Sequence, residues 1–470
     1  MSLDPVILSR IQFVWVIAWH IILPAFTVGL ASYITMLEGL HVWTGKPIYL
    51  KVSKFWIRIF AVSFGMGVVS GIVMPFQFGT NWSRFADATS NVVGPLFAYE
   101  GLTAFFLEAA FLGVLLFGRK LVPPWAHFVA AFMVGFGTLL SSFWIIAVNS
   151  WMQTPGGYTI GPDGRFFPAD WTQIIFSASF PFRLAHTVSG FYVTTAFVVL
   201  AVGAYTIRAG KFVAEGKLML RMALGFLTIF VPLQIALGDA QGLNTLEHQP
   251  AKLAAMEGLW DGGNGVPASL IGIPNQKGEK NDFEIAVPKL GSLYLTHSWD
   301  GAVKGLKDFP PDQRPPVIVV YFAFRLMVGV GLLMLAIVAV GWLLRWRGRF
   351  YDQAWFLKGL QWTMPLGFIA VLAGWTTTEV GRQPWTVYGL MRTADSVSPS
   401  LTGFDVILSL AMYMAIYLLV YPTGLRFMLR IVWNGPLDED PENDTAIESG
   451  RPAQPVQALP QTQLGHGDAS

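Results

Sequence analysis

The sequence predicts an all-α, polytopic membrane protein: a bundle of about nine transmembrane helices. Three observations predict it. The 470 residues are 53% hydrophobic and only 13% charged, where soluble domains carry about 25% charged residues. The mean hydropathy is +0.51. Apolar runs near the length of roughly 20 residues that a spanning helix needs recur along the chain, and the short alternating segments of a β-barrel do not.

The runs fall at 12–37, 54–78, 94–117, 125–149, 184–206, 219–238, 317–345, 361–380 and 404–428. The first is long, lacks a basic leader and contains His20, so it reads as a retained span rather than a cleaved signal peptide. The linking segments alternate in charge. One set carries Lys46, Lys51 and Lys54, then Arg119 and Lys120, then Arg208, Lys211 and Lys217, then Arg345, Arg347, Arg349 and Lys358, with Arg426 and Arg430 at the exit. Basic residues mark the cytoplasmic side. The N-terminus is therefore expected outside, in the periplasm of a bacterial inner membrane, and the C-terminus inside. The short outer loop 79–93 has Arg84 balanced by Asp87.

The expected organisation is helices 1–6 over 1–238, an outer loop over 239–316, helices 7–9 over 317–430, and a disordered cytoplasmic tail over 431–470, rich in Pro, Asp, Glu and Gln. A second long outer segment, 150–183, is rich in Gly, Pro and aromatics. The 239–316 loop holds charges of both signs, and loops of that length usually carry function. The absence of Cys excludes disulfides, thiolate zinc sites, iron–sulfur clusters and Cys nucleophiles. No nucleic-acid-binding pattern is present, and no internal repeat.

Ionisable side chains inside spans are costly and point to function. His20, His186, Glu100, Glu108, Met327 and Glu379 all fall in the outer half of the expected bilayer or near its middle. Residues gathered around common cofactors would share a depth in this way. His and Met are the side chains that hold haem iron from helices, and a His/Met pair raises the reduction potential. A haem that reacts needs one open axial position, so His20 and Glu379 could each serve as a single ligand. Glu100 and Glu108 are eight residues apart, about 80° around an α-helix and two turns along it, a spacing suited to a proton relay. Trp375 and Glu379 are i and i+4 on one face. Arg325 and Met327 are two apart and point to different sides. Each residue also has a plain structural reading: Met327 as packing, His20 hydrogen-bonded to a neighbouring helix, Glu100 or Glu379 paired with Arg, Arg382 snorkelling to the interface, His127 as an anchor at the inner interface.

Five motifs in order resemble subunit I of the cytochrome bd quinol oxidases: EGLTAFFLEA at 100–109, FRLAHT at 182–187, GDAQGLNTLEHQPAKLAAMEGLW at 238–260, FRLMVGVG at 324–331 and GRQPW at 381–385 after Glu379. The resemblance covers nearly the whole chain up to the tail. It implies that His186 and Met327 ligate a low-spin haem b with Arg325 nearby, and that His20 and Glu379 ligate a high-spin haem b and a haem d, or a third haem b in its place. Which of the two holds which haem stays open. It further implies Glu100 and Glu108 at the proton path, Trp375 between haems, Arg382 near a propionate or the Glu ligand, and Lys252 with Glu257 at quinol oxidation. The outer loop is short, as in the branch that includes the cyanide-insensitive oxidases. The implied partners are subunit II, a small single-helix subunit, ubiquinol or menaquinol, O2 and the lipid bilayer. The implied activity is oxidation of quinol outside and reduction of O2 to water, building a proton motive force without pumping. Two rivals are a non-oxidase haem b protein shuttling electrons from quinone, and a transporter using Glu100, Glu108 and Arg382 as substrate ligands.

Overall fold

The computed structural model describes residues 4–436. The chain begins with α1 (Pro5–Ile21), capped by Asp4, whose carboxylate accepts from the Val6 amide at 2.9 Å. It breaks after Ile21 and resumes as α2 (Pro24–Thr44), with Pro24 in the first turn, where a missing N–H costs nothing. Gly45, left-handed at φ 67°, ends α2. Next come α3 (Pro47–Thr80), α4 (Ser83–Tyr99), a π-helical turn (Glu100–Phe105), α5 (Phe106–Phe117) and α6 (Pro124–Gln153). A hairpin of β1 (Tyr158–Ile160) and β2 (Phe166–Pro168) and the short α7 (Trp171–Ile175) precede α8 (Phe180–Arg208) and α9 (Val213–His248).

The long loop after α9 contains α10 (Pro250–Glu257), β3 (Gly263–Asn264), β4 (Ala268–Asn275), β5 (Lys280–Val287), α11 (Leu290–Thr296) and β6 (Ala302–Val303), with antiparallel pairs β3–β6 and β4–β5. Then follow α12 (Val317–Trp346), α13 (Ala354–Gln361), α14 (Leu366–Gly381), the β7 (Trp385–Val387) and β8 (Met391–Arg392) pair, and α15 (Gly403–Asn434). A Thr402–Asp405 capping box starts α15. Among the described residues, eight helical stretches are long and apolar enough to cross a bilayer, and nine if the bent pair α13–α14 is one span. The fold class is as expected.

At the centre, α2 packs on α3, α6 and α8, and α8 packs in turn on α9, α13 and α14. α12 lies on α14 and α9, and α15 lies on α3 and α1. Close approach uses small residues. A Cβ on Gly203 of α8 would stand 3.0 Å from the Gly216 carbonyl of α9. Trp56, Phe60, Ile34 and Leu200 fill the shared core.

Several boundaries differ from the sequence reading. α9 runs on to His248, ten residues past the apolar run, so the outer loop proper starts near Gln249. Hydropathy marks where the membrane ends, and the helix continues because Asn244 and Thr245 bury and bond: the Asn244 amide donates to the Ala178 carbonyl at 3.1 Å. The loop 79–93 is mostly helix α4, and Asp87 pairs with Arg165 at 2.7 Å rather than with Arg84. The tail expected over 431–470 begins inside α15, which extends to Asn434, and its remainder beyond 436 lies outside the described residues.

Candidate functional site

His20 stands in the last turn of α1, at the break before α2. Its Nδ1 is 2.9 Å from Ser70 Oγ of α3. Ser70 gives its own proton to the Met66 or Gly67 carbonyl at 3.0 and 3.1 Å, so it accepts from His20 Nδ1–H. That leaves Nε2 with the lone pair, the arrangement in which a second partner orients a metal-binding imidazole. Gly71 keeps the space beside the ring: a Cβ there would lie 3.3 Å from His20 Cε1.

His186 is in the second turn of α8. Gln234 Nε2 of α9 is 3.3 Å from both ring nitrogens, while Gln234 Oε1 is buried without a partner among the described residues. Reversing that amide turns the orphan oxygen towards the ring, where it accepts from one nitrogen and leaves the other as a ligand. Glycines flank this ligand and its expected mate: a Cβ on Gly238 would be 3.4 Å from His186 Cε1, and one on Gly374 of α14 would be 2.8 Å from Met327 Sδ. Met327 lies on α12, and the packing of α8, α9, α12 and α14 surrounds this volume with helices.

The expected 80° between Glu100 and Glu108 does not hold. Glu100 opens the π-helical turn. Such a turn absorbs one extra residue, about 100° of rotation, so eight residues bring the side chains to within about 20° of each other. Both meet one stripe of α6: Ser141 Oγ donates to Glu100 Oε1 at 2.8 Å, and a Cβ on Gly137, one turn earlier, would be 2.5 Å from Glu108 Cγ. The two carboxylates share a face.

Glu379 is the centre of a buried polar cluster at the end of α14. Its Oε1 accepts from Asn149 Nδ2 and Gln153 Nε2, both at 3.1 Å, and its Oε2 accepts from Arg382 at 2.5 Å. Arg183 donates to Asn149 Oδ1. Lys252 Nζ donates to Gln153 and Gln249 at 2.6 Å each. Burial, with Arg183 and Arg382 close by, pushes the Lys252 amine well below its ordinary value, against the opposing pull of Glu379. Two guanidinium groups and the Lys252 amine thus surround one carboxylate. Arg183 Nε and Arg382 Nε and Nη1 are buried without hydrogen-bond partners among the described residues. Unpaired buried charge is expensive, so this cluster is built for further anions. Haem propionates are such anions. With imidazole, thioether and carboxylate candidates for iron and glycine-lined space beside them, the residues fit haem.

A second cluster forms around the far end of α10. Glu257 accepts from the Tyr294 hydroxyl at 2.5 Å, and its other oxygen is buried without a partner among the described residues. Burial raises its pKa above the usual carboxylate range, opposed by the Tyr294 hydrogen bond and by Arg325. Arg325 stacks on the Tyr321 ring at 3.3 Å and donates to the Met256 carbonyl at 2.7 Å and to the Ser269 carbonyl. It is committed to the outer loop and does not curl towards Met327. Lys252 and Glu257, expected as one pair, point to different neighbours: Lys252 to the Glu379 cluster, Glu257 to Tyr294 and Arg325. Trp375 sits on α14 one turn before Glu379, half-buried.

His127 is not an interfacial anchor. It is buried, its Nδ1 is 3.2 Å from Glu38 and its Nε2 is 3.1 Å from the Leu115 carbonyl. Glu38, fully buried, also takes hydrogen bonds from Ser53 and from Arg119, whose Nη1 is at 2.8 Å. This cluster joins α2, α3, α6 and the end of α5. Sequence reasoning missed Glu38, Arg183, Asn149, Gln153 and Tyr294. Arg183 stood in the quoted FRLAHT, and Asn149 with Gln153 formed an i, i+4 polar pair at the end of an apolar run. Tyr294 gave no signal.

The fold and these sites define a class: a polytopic helical membrane protein with imidazole, thioether and carboxylate side chains placed where they could hold redox cofactors. The family model described as cytochrome bd terminal oxidase subunit I matches residues 8–436, and the chain belongs to that family. It is 33% identical over 458 residues to cytochrome bd ubiquinol oxidase subunit 1 of Bacillus subtilis (strain 168), covering 95% of this chain and 97% of that protein. It is 30% identical over 521 aligned positions to cytochrome bd-II ubiquinol oxidase subunit 1 of Escherichia coli (strain K12), covering 96% and 99%. The bd oxidase structure from Geobacillus thermodenitrificans superposes with a TM-score of 0.86 at 28% identity, over 93% of this chain and 100% of that one.

Proposed function

We propose that this chain is the haem-bearing subunit of a respiratory terminal oxidase that oxidises two quinols and reduces one O2 to two water molecules. The observation that carries the reading is the Glu379 cluster, in which buried guanidinium nitrogens without partners converge on a candidate iron ligand. Family membership and the names of the relatives, ubiquinol oxidase subunits, support it.

Bound haem supplies one-electron transfer from quinol and the site of oxygen reduction. The chain's own residues do the rest. His186 and Met327 hold the low-spin haem b. His20 and Glu379 each hold one of the other two, a haem b and either haem d or a third haem b. Arg183 and Arg382 would neutralise propionates, and Lys252 completes the polar shell through Gln153. Trp375, one turn before Glu379 on α14, would be the aromatic that helps pass electrons between the haems. Glu257, buried beneath Tyr294, takes a proton from quinol at the outer face. Lys252 acts on quinol oxidation through the Glu379 cluster, not by touching Glu257. Glu100 and Glu108, on one face against α6, pass protons from the cytoplasmic side to the oxygen site.

The N-terminus lies in the periplasm and the C-terminus in the cytoplasm. Quinol protons leave outside and water protons come from inside, so a proton motive force builds without a pump. The chain assembles with subunit II and a small single-helix subunit in the bacterial inner membrane and accepts ubiquinol or menaquinol. The alignment with the E. coli relative covers 521 positions against 470 residues here, so that relative carries extra sequence, in keeping with the short-loop, cyanide-insensitive branch for this chain. Quinol-driven oxygen uptake by the purified complex tests the oxidase reading. Haem reduction by quinol without oxygen uptake would favour the electron-shuttle rival.

A further inference from the structure

The β4–β5 hairpin presents large apolar side chains outward. Phe283 is 86% exposed, Ile271 62% and Ile285 58%, with Leu270 and Ile273 beside them. Ile271 and Ile285 are cross-strand partners. Phe283 holds a left-handed φ of 53°, which bulky residues avoid, in the stretch where the strand register shifts. Strain of this kind persists where an arrangement is used. An apolar patch of this extent facing water is an aggregation hazard, and its usual meaning is a partner or a membrane.

The position of the hairpin selects the membrane. Its polar turn is tied to the outer start of α12: Gln276 Oε1 accepts from the Val317 amide at 3.3 Å, and Arg314 pairs with Glu279 at 2.6 Å. Its other end is held from further into the same helix, by the Tyr321 hydroxyl 3.2 Å from Ser269 Oγ and by Arg325 on the Ser269 carbonyl. β4 therefore runs beside the first turns of a membrane-spanning helix, and those turns expose Ile318 and Phe322. The two apolar surfaces adjoin. The charged strand residues are held by polar neighbours: Asn275 donates to Asp282 at 3.0 Å, and Asn281 donates to Glu284 at 2.7 Å.

We propose that the apolar face of the β4–β5 hairpin is seated in the outer leaflet of the bilayer, with its charged turn in the headgroup region. Irregular or strand backbone near lipid is tolerated where its polar groups are paired, and here the hairpin ladder and α12 pair them. A consequence, which rests on the reading of Glu257 above, is that quinol reaches its site along this lipid-facing wall.

The chain has no cysteine, so single cysteines can be introduced and spin-labelled in the complete haem-loaded complex in nanodiscs. Labels at Ile271→Cys, Phe283→Cys and Ile285→Cys, all at exposed positions, are expected to collide preferentially with oxygen, which partitions into lipid. A label at Lys277→Cys in the turn is expected to collide preferentially with a water-soluble nickel chelate. Preference for the nickel chelate at the three strand positions would place the hairpin in water and overturn the proposal. Shielding from both would mean that another subunit covers it, and would overturn it equally. Ile285→Asp, which leaves Glu257 and Arg325 in place, should raise the KM for quinol several-fold at unchanged haem content, and an unchanged KM would refute the route. Quinol oxidation by the unaltered complex, assayed alongside, shows separately whether the functional reading stands.

Discussion

Glu257 carries the clearest prediction at the scale of a residue. In its proposed role as the base for quinol it must be ionised, and burial moves its ionisation above the ordinary carboxylate value of about 4.3. The rate of quinol oxidation should therefore rise with pH along a limb above that value. Glu257→Gln should remove the limb and lower kcat/KM on the order of 100-fold; an unchanged pH profile would reject the role. The same shift means that the folded state holds the proton more tightly than the unfolded chain. Its contribution to stability is thus present below the ordinary carboxylate pKa and lost as pH rises through the folded value. Arg183→Ala makes a second test. It removes a cation from the Glu379 cluster without touching an iron ligand, so haem content should fall while oxygen uptake per remaining haem changes less. Full haem retention would argue against a propionate partner. The sequence showed Glu379 and Arg382 because both stand out against apolar neighbours. It did not show that Lys252 and Glu257 serve different clusters, because five residues on a short helix give separate directions that only the surrounding packing turns into partners.

Among the elements, the π-helical turn at Glu100–Phe105 changes the site most. Sequence spacing assumes 100° per residue throughout, and nothing in EGLTAFFLEA marks one extra residue in the turn. Deleting Leu102, whose side chain is exposed, should restore regular α-helix and swing Glu100 about 100° away from Ser141. Oxidase activity should be lost while the low-spin haem spectrum remains, whereas Leu102→Ala should be neutral. A deletion variant with full activity would show that the shared face is not needed. The spans themselves were legible from length and hydropathy, which respond to the bilayer. The ends of α9 and α15 were not, because helix continues beyond the membrane wherever side chains can bury or bond.

Across the whole molecule, the buried charged groups gather in a few clusters that join helices which apolar contacts alone would leave free to slide. The Glu38–Arg119–His127–Ser53 cluster joins four elements, and Glu38→Gln should destabilise the subunit by roughly 1.5–3 kcal/mol, since it removes the charged acceptor of the partly buried Arg119 guanidinium. Thermal unfolding followed by haem absorbance would measure this, with the starting spectrum unchanged. The clusters at Glu379 and Glu257 instead hold buried polar atoms without partners among the described residues, which the proposed function assigns to haem and quinol. That assignment, the central claim, is tested most directly by reduced-minus-oxidised spectra and pyridine haemochrome analysis of the purified complex and of its Met327→Leu variant. The account predicts three haems per complex, with the low-spin haem b signal lost in the variant while the other two haems remain. A complex with one haem or none, or a low-spin spectrum untouched by Met327→Leu, would contradict it.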